Sequence, residues 1–175
     1  MDRDALSRLG RAALPILAVT VFLGMSWLTV TSATSSTLGY DFQAYLHAAQ
    51  RAIDGRPLYD ATVEVAGGFA IFLYPPPFVL VVMPFVVADP TSATYLWILA
   101  MGACFIFGSW LMPVQPTIRW LVILLGGLSW PLLYAIKLGQ VGPLLYLLFA
   151  IGWRYLDRPI VLGASIATGA LIKVQ

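Results

Sequence analysis

Tyr74–Pro90, YPPPFVLVVMPFVVADP, is the stretch that decides how many times this chain crosses a membrane. It is apolar enough for a transmembrane helix, but Pro75, Pro76 and Pro77 stand at its start and Pro84 stands inside it. Proline has no amide hydrogen and its ring clashes with the preceding turn, so a straight helix through Pro84 is disfavoured. Only about a dozen residues, 77–88, are left, against the roughly 20 that a helix needs to span a bilayer. The reading is therefore a re-entrant or interfacial helix rather than a span.

The rest of the chain has the composition of a polytopic membrane protein. Of its 175 residues 60% are hydrophobic and 10% charged, against about 25% charged in soluble domains. Besides the region around 69–88, apolar runs occupy Leu14–Val30, Ala93–Met112, Trp120–Ile136, Val141–Trp153 and Ile160–Ile172. The expected fold class is thus all-α and polytopic, with about five transmembrane helices plus amphipathic and re-entrant or interfacial helices in the first outer loop. The whole, 1–175, reads as one transmembrane domain, and the absence of a closing loop after Lys173 suggests that it is the N-terminal portion of a longer protein. Residues 31–92 form the first extracytoplasmic loop in this reading.

Charge placement sets the expected orientation. Arg3, Arg8 and Arg11 precede the first apolar run, which is longer than the core of a cleavable signal peptide, so it reads as an uncleaved anchor with a cytoplasmic N-terminus. With 77–88 kept outside, Arg119 in PVQPTIR and Arg154 and Arg158 in RYLDRP all fall on the cytoplasmic side. Six spans would turn Arg154 and Arg158 outward, so five are preferred. Lys137 and Lys173 then sit at the outer ends of helices, where each either snorkels to the interface or meets an anion such as a lipid phosphate. The expected location is the plasma or inner membrane.

Composition also excludes several functions. A net charge of +2 with no basic patch gives nucleic acid nothing to bind. The single cysteine, Cys104, lies in an apolar run and reads as a small core residue, with no disulfide or CxxC motif. No P-loop, GxSxG, HExxH or GxGxxG pattern occurs. In the last apolar run, Gly163 with Ala167 and Ser165 with Gly169 have the spacing that allows close helix packing.

Polar chemistry gathers in one island, Leu38–Asp60, directly after the first apolar run. Phe42, Tyr45, Leu46, Ala49 and Ile53 recur at helical spacing, with Gln43, His47, Gln50, Arg51 and Asp54 between them, so an amphipathic helix on the outer membrane surface is expected. Asp41 stands at its start and has two open readings: a helix N-cap, or a partly desolvated carboxylate able to act as a general base. His47 reads as a surface residue, because no second histidine exists to complete a metal site. Asp54, Asp60 and Glu64 fall in a turn-rich section with Gly55, Pro57, Gly67 and Gly68. A pairing of Asp41 with Asp60 around a sugar or a divalent cation matches no motif.

YDFQAYLHAAQRAIDGRPLYD (Tyr40–Asp60) followed by FLYPPPFVLVVMPF (Phe72–Phe85), and then the block from Leu128 to Gln175 with its Gly-Gln pair, basic loop and glycine-rich helix ending in lysine, resemble in their order glycosyltransferase family 87. These are membrane mannosyltransferases of the GT-C superfamily. The resemblance runs from about Gly39 to the end of the chain. It implies transfer of a mannosyl, or another hexosyl or pentosyl, residue from a polyprenyl-phosphate donor to a glycan or glycolipid acceptor of the cell envelope on the outer face of the membrane, with inversion. By family position Asp41 would be the catalytic base, Lys173 and Lys137 would contact the donor phosphate, and Gln140, Tyr45 and Tyr74 would line the pocket. No cofactor is implied, although a divalent cation is compatible with it. Two features depart from the pattern: Val141, Gly142 and Pro143 stand where the family commonly has an asparagine after the Gly-Gln pair, and the chain is shorter than family members. The rival class is a non-catalytic membrane protein, a transporter fragment or assembly subunit; a transporter would place ionisable residues inside its spans, where this chain has few.

Overall fold

The computed structural model describes residues 3–65 and 68–173, with side chains from residue 13 onward except that of Phe69; Gly67 and Gln175 lie outside the described residues, as do the side chains of Arg3, Arg8 and Arg11. The chain folds as an all-α membrane protein. Helix α1 (Arg3–Thr31) and α4 (Pro90–Leu111) are the two helices long and apolar enough to cross a bilayer. Asp89 caps α4, its carboxylate accepting the Thr91 and Ser92 amides at 3.1 and 3.0 Å, and Pro90 occupies the first turn, where its missing amide hydrogen costs nothing.

The expected single span 120–136 is instead two helices, α5 (Pro116–Leu128) and α6 (Trp130–Leu138), meeting at 70° across Ser129. Pro131 explains the break, because its ring collides with the carbonyl four residues earlier and it donates no hydrogen bond. Counting that bent pair as one broken span, three segments are long and apolar enough to cross by length and composition. Helix α7 (Gly142–Arg154) and α8 (Pro159–Ile172) have 13 and 14 residues, about 20 Å each, and so fall short of a hydrocarbon core about 30 Å thick. On α8 the buried residue of the two small-residue pairs is Ser165, which faces Gly152 of α7, while Gly163 and Ala167 are exposed.

The stretch that opened the question forms no span. Pro76–Phe78 and Met83–Val87 are 3-10 turns on either side of a single α-helical turn, α3 (Val79–Val82), and the first residues of each 3-10 turn carry proline. Helix α2 (Tyr40–Ile53) lies on this segment and on α4, burying Phe42, Ala44, Tyr45, Ala48 and Ala49. The amphipathic spacing expected from the sequence is the reason: one face is apolar and the other carries Gln43, His47 and Gln50. A two-residue antiparallel ribbon, β1 (Glu64–Val65) with β2 (Gly68–Phe69), closes the loop beneath it.

Two apolar cores hold these parts. One gathers Phe42, Tyr45, Phe72, Phe78, Val82 and Trp97 beneath α2, and the other packs α1 against α5 through Phe22, Phe105, Ile123 and Ile136. In the first, Phe42 stacks on Trp97 with ring centroids 4.9 Å apart, and Phe85 meets the same indole edge-on at 5.3 Å. Aromatic pairs of this kind add about 0.5–1.5 kcal/mol beyond the area they bury.

The junction of α2 with α6 rests on two glycines in the left-handed region, Gly39 (φ 64°) and Gly139 (φ 75°). Gly139 ends α6, and a Cβ there would come within 2.7 Å of the Phe42 Cβ. Gly139→Ala should therefore cost about 1–3 kcal/mol from backbone strain alone, while Gly163→Ala, which meets open space, should not destabilise the fold. Thermal unfolding in detergent compares them, and equal melting of the two variants would contradict this account of the junction.

Candidate active site

The geometry of the site begins at the same junction. The Gly39 amide donates to the Lys137 carbonyl at 2.9 Å, so the start of α2 is pinned to the end of α6. The Trp97 indole N–H donates to the Gly139 carbonyl at 2.8 Å. These two bonds satisfy carbonyls at a helix C-terminus that has no further turn to pair them. They also set Gln140, the next residue, opposite Asp41, the second residue of α2.

Asp41 is not the helix cap. The N-cap position belongs to Gly39, and no side chain caps α2. The Asp41 carboxylate faces instead into an open cavity of about 560 Å³, whose polar wall includes Tyr40, Gln140 and Lys173. Burial is the largest influence on it and raises its pKa above the ordinary value, while hydrogen bonding from the Gln140 side chain and the charge of Lys173 pull it back. The carboxylate is thus a stronger base than one in water, with two neighbours that favour its charged form.

Lys173 reaches the cavity because α8 ends at Ile172 and the chain turns extended at residue 173. Its ammonium lies 5.8 Å from the centre of the Tyr74 ring, a distance that allows a cation–π attraction. The end of α8 packs against the Pro76–Phe78 turn, which brings Lys173 and Tyr74 together. Among the described residues the one ion pair within 4 Å is Arg56 with Asp54, so Lys173 and Asp41 act on each other across a gap rather than in contact.

Tyr45 and Tyr74 form another wall. The Tyr45 hydroxyl donates to that of Tyr74 at 2.8 Å, and the two rings meet edge to face at 4.8 Å. Burial pushes both phenols above their ordinary pKa, and for Tyr45 the nearby Tyr74 adds to the shift. Both therefore stay neutral, as hydrogen-bonding groups rather than bases.

Five of the six residues singled out from the sequence, Asp41, Gln140, Lys173, Tyr45 and Tyr74, line this one cavity. Lys137 does not line it: its ammonium sits 5.3 Å from the Tyr134 ring, and it serves the site through its backbone carbonyl. Asp60 does not pair with Asp41, since its carboxylate closes a local turn by accepting the Thr62 amide at 2.9 Å and hydroxyl at 2.7 Å. His47 is exposed on α2 and lies outside the cavity lining. No group of three or more His, Cys, Asp or Glu side chains comes together among the described residues. Sequence reasoning passed over Tyr40 and Tyr59, which also line the cavity; the signal for Tyr59 was its place at the end of the turn GRPLY, Gly55–Tyr59.

Compared with known proteins, the chain matches the model of glycosyltransferase family 87 over residues 72–175. That region supplies Tyr74, Gln140 and Lys173, and the fold adds Asp41 and Tyr45 from α2, which precedes it. No curated protein and no solved structure matches the chain.

The Asp41 shift carries a consequence for stability. Because its folded-state pKa is raised above 3.8, the folded protein holds this proton more tightly than the unfolded chain does. The resulting stability is fully present below pH 3.8 and is lost as the pH rises through the folded-state value. At pH 7 the charge is a net burden, so Asp41→Asn should melt higher than the wild type, and the two should converge as the pH falls below about 3.8. Melting curves across pH test this, and a wild type that outlasts Asp41→Asn at pH 7 would show that its hydrogen bonds outweigh its burial.

Proposed function

The chain belongs to glycosyltransferase family 87, membrane glycosyltransferases, and on that premise we propose that it moves a mannosyl, or another hexosyl or pentosyl, residue from a polyprenyl-phosphate donor to a glycan or glycolipid acceptor at the outer face of the membrane. The observation that carries the proposal is the meeting of one raised carboxylate, Asp41, with one cation, Lys173, across an open cavity of about 560 Å³. Transfer from a prenyl phosphate needs both: a base for the acceptor hydroxyl and a positive charge for the departing phosphate.

In the proposed step the acceptor oxygen attacks the anomeric carbon from the face opposite the phosphate. Its proton passes to the Asp41 carboxylate as the new carbon–oxygen bond forms. The bond from the anomeric carbon to the phosphate oxygen breaks, polyprenyl phosphate leaves with the electron pair, and the configuration inverts. Lys173 stands where the leaving phosphate gains charge, and Gln140 orients Asp41. Tyr74, held neutral, offers its hydroxyl to the sugar, and the buried Tyr45 holds that hydroxyl in place by donating to it. The Lys173 charge meets the phosphate without a cofactor, and a divalent cation would find one carboxylate, Asp41, on the cavity wall.

The same reading places the N-terminus in the cytoplasm and the α2 loop outside, following the arginines at positions 3, 8 and 11 before α1 and Arg119 after α4. A transport role has less to stand on, because Asp41 lies on a surface helix of mixed polarity rather than within a span.

Mannose transfer from polyprenyl-phosphomannose by the detergent-purified protein is the test. Asp41→Asn should lower kcat by roughly 10²-fold or more with the fold intact, and Lys173→Met should weaken use of the donor. Full activity in Asp41→Asn would remove the general-base assignment.

A further inference from the structure

After α2, residues 55–62 form a strap that brings Tyr59 to the cavity, and a buried cation holds it. Arg51, near the end of α2, is 6% exposed, yet among the described residues it forms no ion pair within 4 Å, its charge reaching Asp60 only across a gap. Its Nε donates to the Pro57 carbonyl at 3.2 Å and its Nη2 to the Leu58 carbonyl at 2.8 Å. The Arg56 amide returns to the Arg51 carbonyl at 2.8 Å, and Gly55 at φ 67° makes the reversal that this needs. Burying a guanidinium costs desolvation, and an apolar side chain would fill the same space more cheaply. What only Arg51 supplies is a fixed path for the strap.

The residue at the end of that path is Tyr59. Leu58 is held by Arg51 on one side, and the Asp60–Thr62 turn holds the other. The Tyr59 hydroxyl donates to the Tyr74 carbonyl at 3.1 Å, and its ring rests beside Phe72 at 5.9 Å. Even so, the side chain remains 55% exposed while lining the cavity that holds Asp41. Tyr45, on the inner wall, is 2% exposed. An aromatic ring fixed at its backbone and its hydroxyl, with its surface open, gives contact area at little entropic cost.

We propose that Tyr59 is the platform on which the acceptor glycan stacks, and that Arg51 is the positioning residue that holds it there. The ring offers the carbohydrate's apolar C–H face a partner at the mouth of the cavity. The acceptor rather than the donor sits there, because Lys173 draws the donor phosphate to the end of α8, whereas Tyr59 stands at the open mouth of the cavity. The inference rests on the glycosyl-transfer reading above and adds to it the determinant of acceptor binding.

Steady-state kinetics on the purified protein, varying acceptor at saturating donor and then donor at saturating acceptor, provide the test. Tyr59→Ala should raise the acceptor KM roughly tenfold or more, with kcat and donor KM within about threefold of wild type. Tyr59→Phe, which keeps the ring but loses its bond to the Tyr74 carbonyl, should raise the acceptor KM by less than Tyr59→Ala does. Arg51→Met should reproduce the Tyr59→Ala effect on acceptor KM, and amide hydrogen exchange at residues 58–62 should quicken in it. Wild-type transfer with an unmoved acceptor KM in Tyr59→Ala overturns the platform alone. A rise confined to donor KM overturns the acceptor assignment, and exchange at 58–62 unaltered in Arg51→Met overturns the positioning role. Absence of transfer by the wild type from any prenyl-phosphate sugar overturns the glycosyl-transfer reading itself.

Discussion

The structure depends on the lock between two helix ends. The amide of Gly39 meets the last carbonyls of α6, and the Trp97 indole takes the carbonyl of Gly139. Each of those carbonyls would otherwise be buried without a donor, which is expensive where water is scarce. Both glycines are in the left-handed region, so the chains approach until Phe42 rests on Gly139 and stacks on Trp97. Everything at the cavity follows from that register: α2 cannot shift by a residue without losing Phe42 from its slot and Asp41 from Gln140.

That arrangement sets stability against chemistry. Asp41 sits where burial disfavours its charge, and Gln140 and Lys173 recover part of the loss. A carboxylate kept basic by its surroundings is useful as a proton acceptor and costly to the fold, the usual tension at sites that react. Arg51 shows the same tension in a second place, since its buried charge is bonded to the Pro57 and Leu58 carbonyls and acts on Asp60 only across a gap.

The irregular parts of the fold lie where they serve the cavity. The break at Ser129 sets α6 at 70° to α5, and the end of α6 carries Gly139 to Phe42. The proline-rich turns around α3 face α2 and the end of α8. Non-helical backbone at a membrane is tolerated where protein covers it or where it lines a wet space, and the segments 72–75 and 139–141 have that surrounding.

The sequence by itself determined that this is an all-α membrane protein, that residues 77–88 are too short to cross, and that α2 is amphipathic, because apolar content, proline and helical periodicity act locally. It also held the order of motifs by which the family could be named. It did not show the bend in the run 120–136, which reads as one apolar unit although Pro131 divides it into two helices. It also left open whether Asp41 caps α2 and treated Lys137 and Lys173 alike. The tertiary structure shows that Asp41 faces the cavity instead of capping, and that Lys173 but not Lys137 lines it. Whether a carboxylate caps a helix or faces a cavity depends on which backbone is nearest, and residues 41, 59, 74, 140 and 173 are far apart along the chain. Their meeting is set by two left-handed glycines, a tryptophan N–H and one buried arginine, contacts that no local pattern encodes.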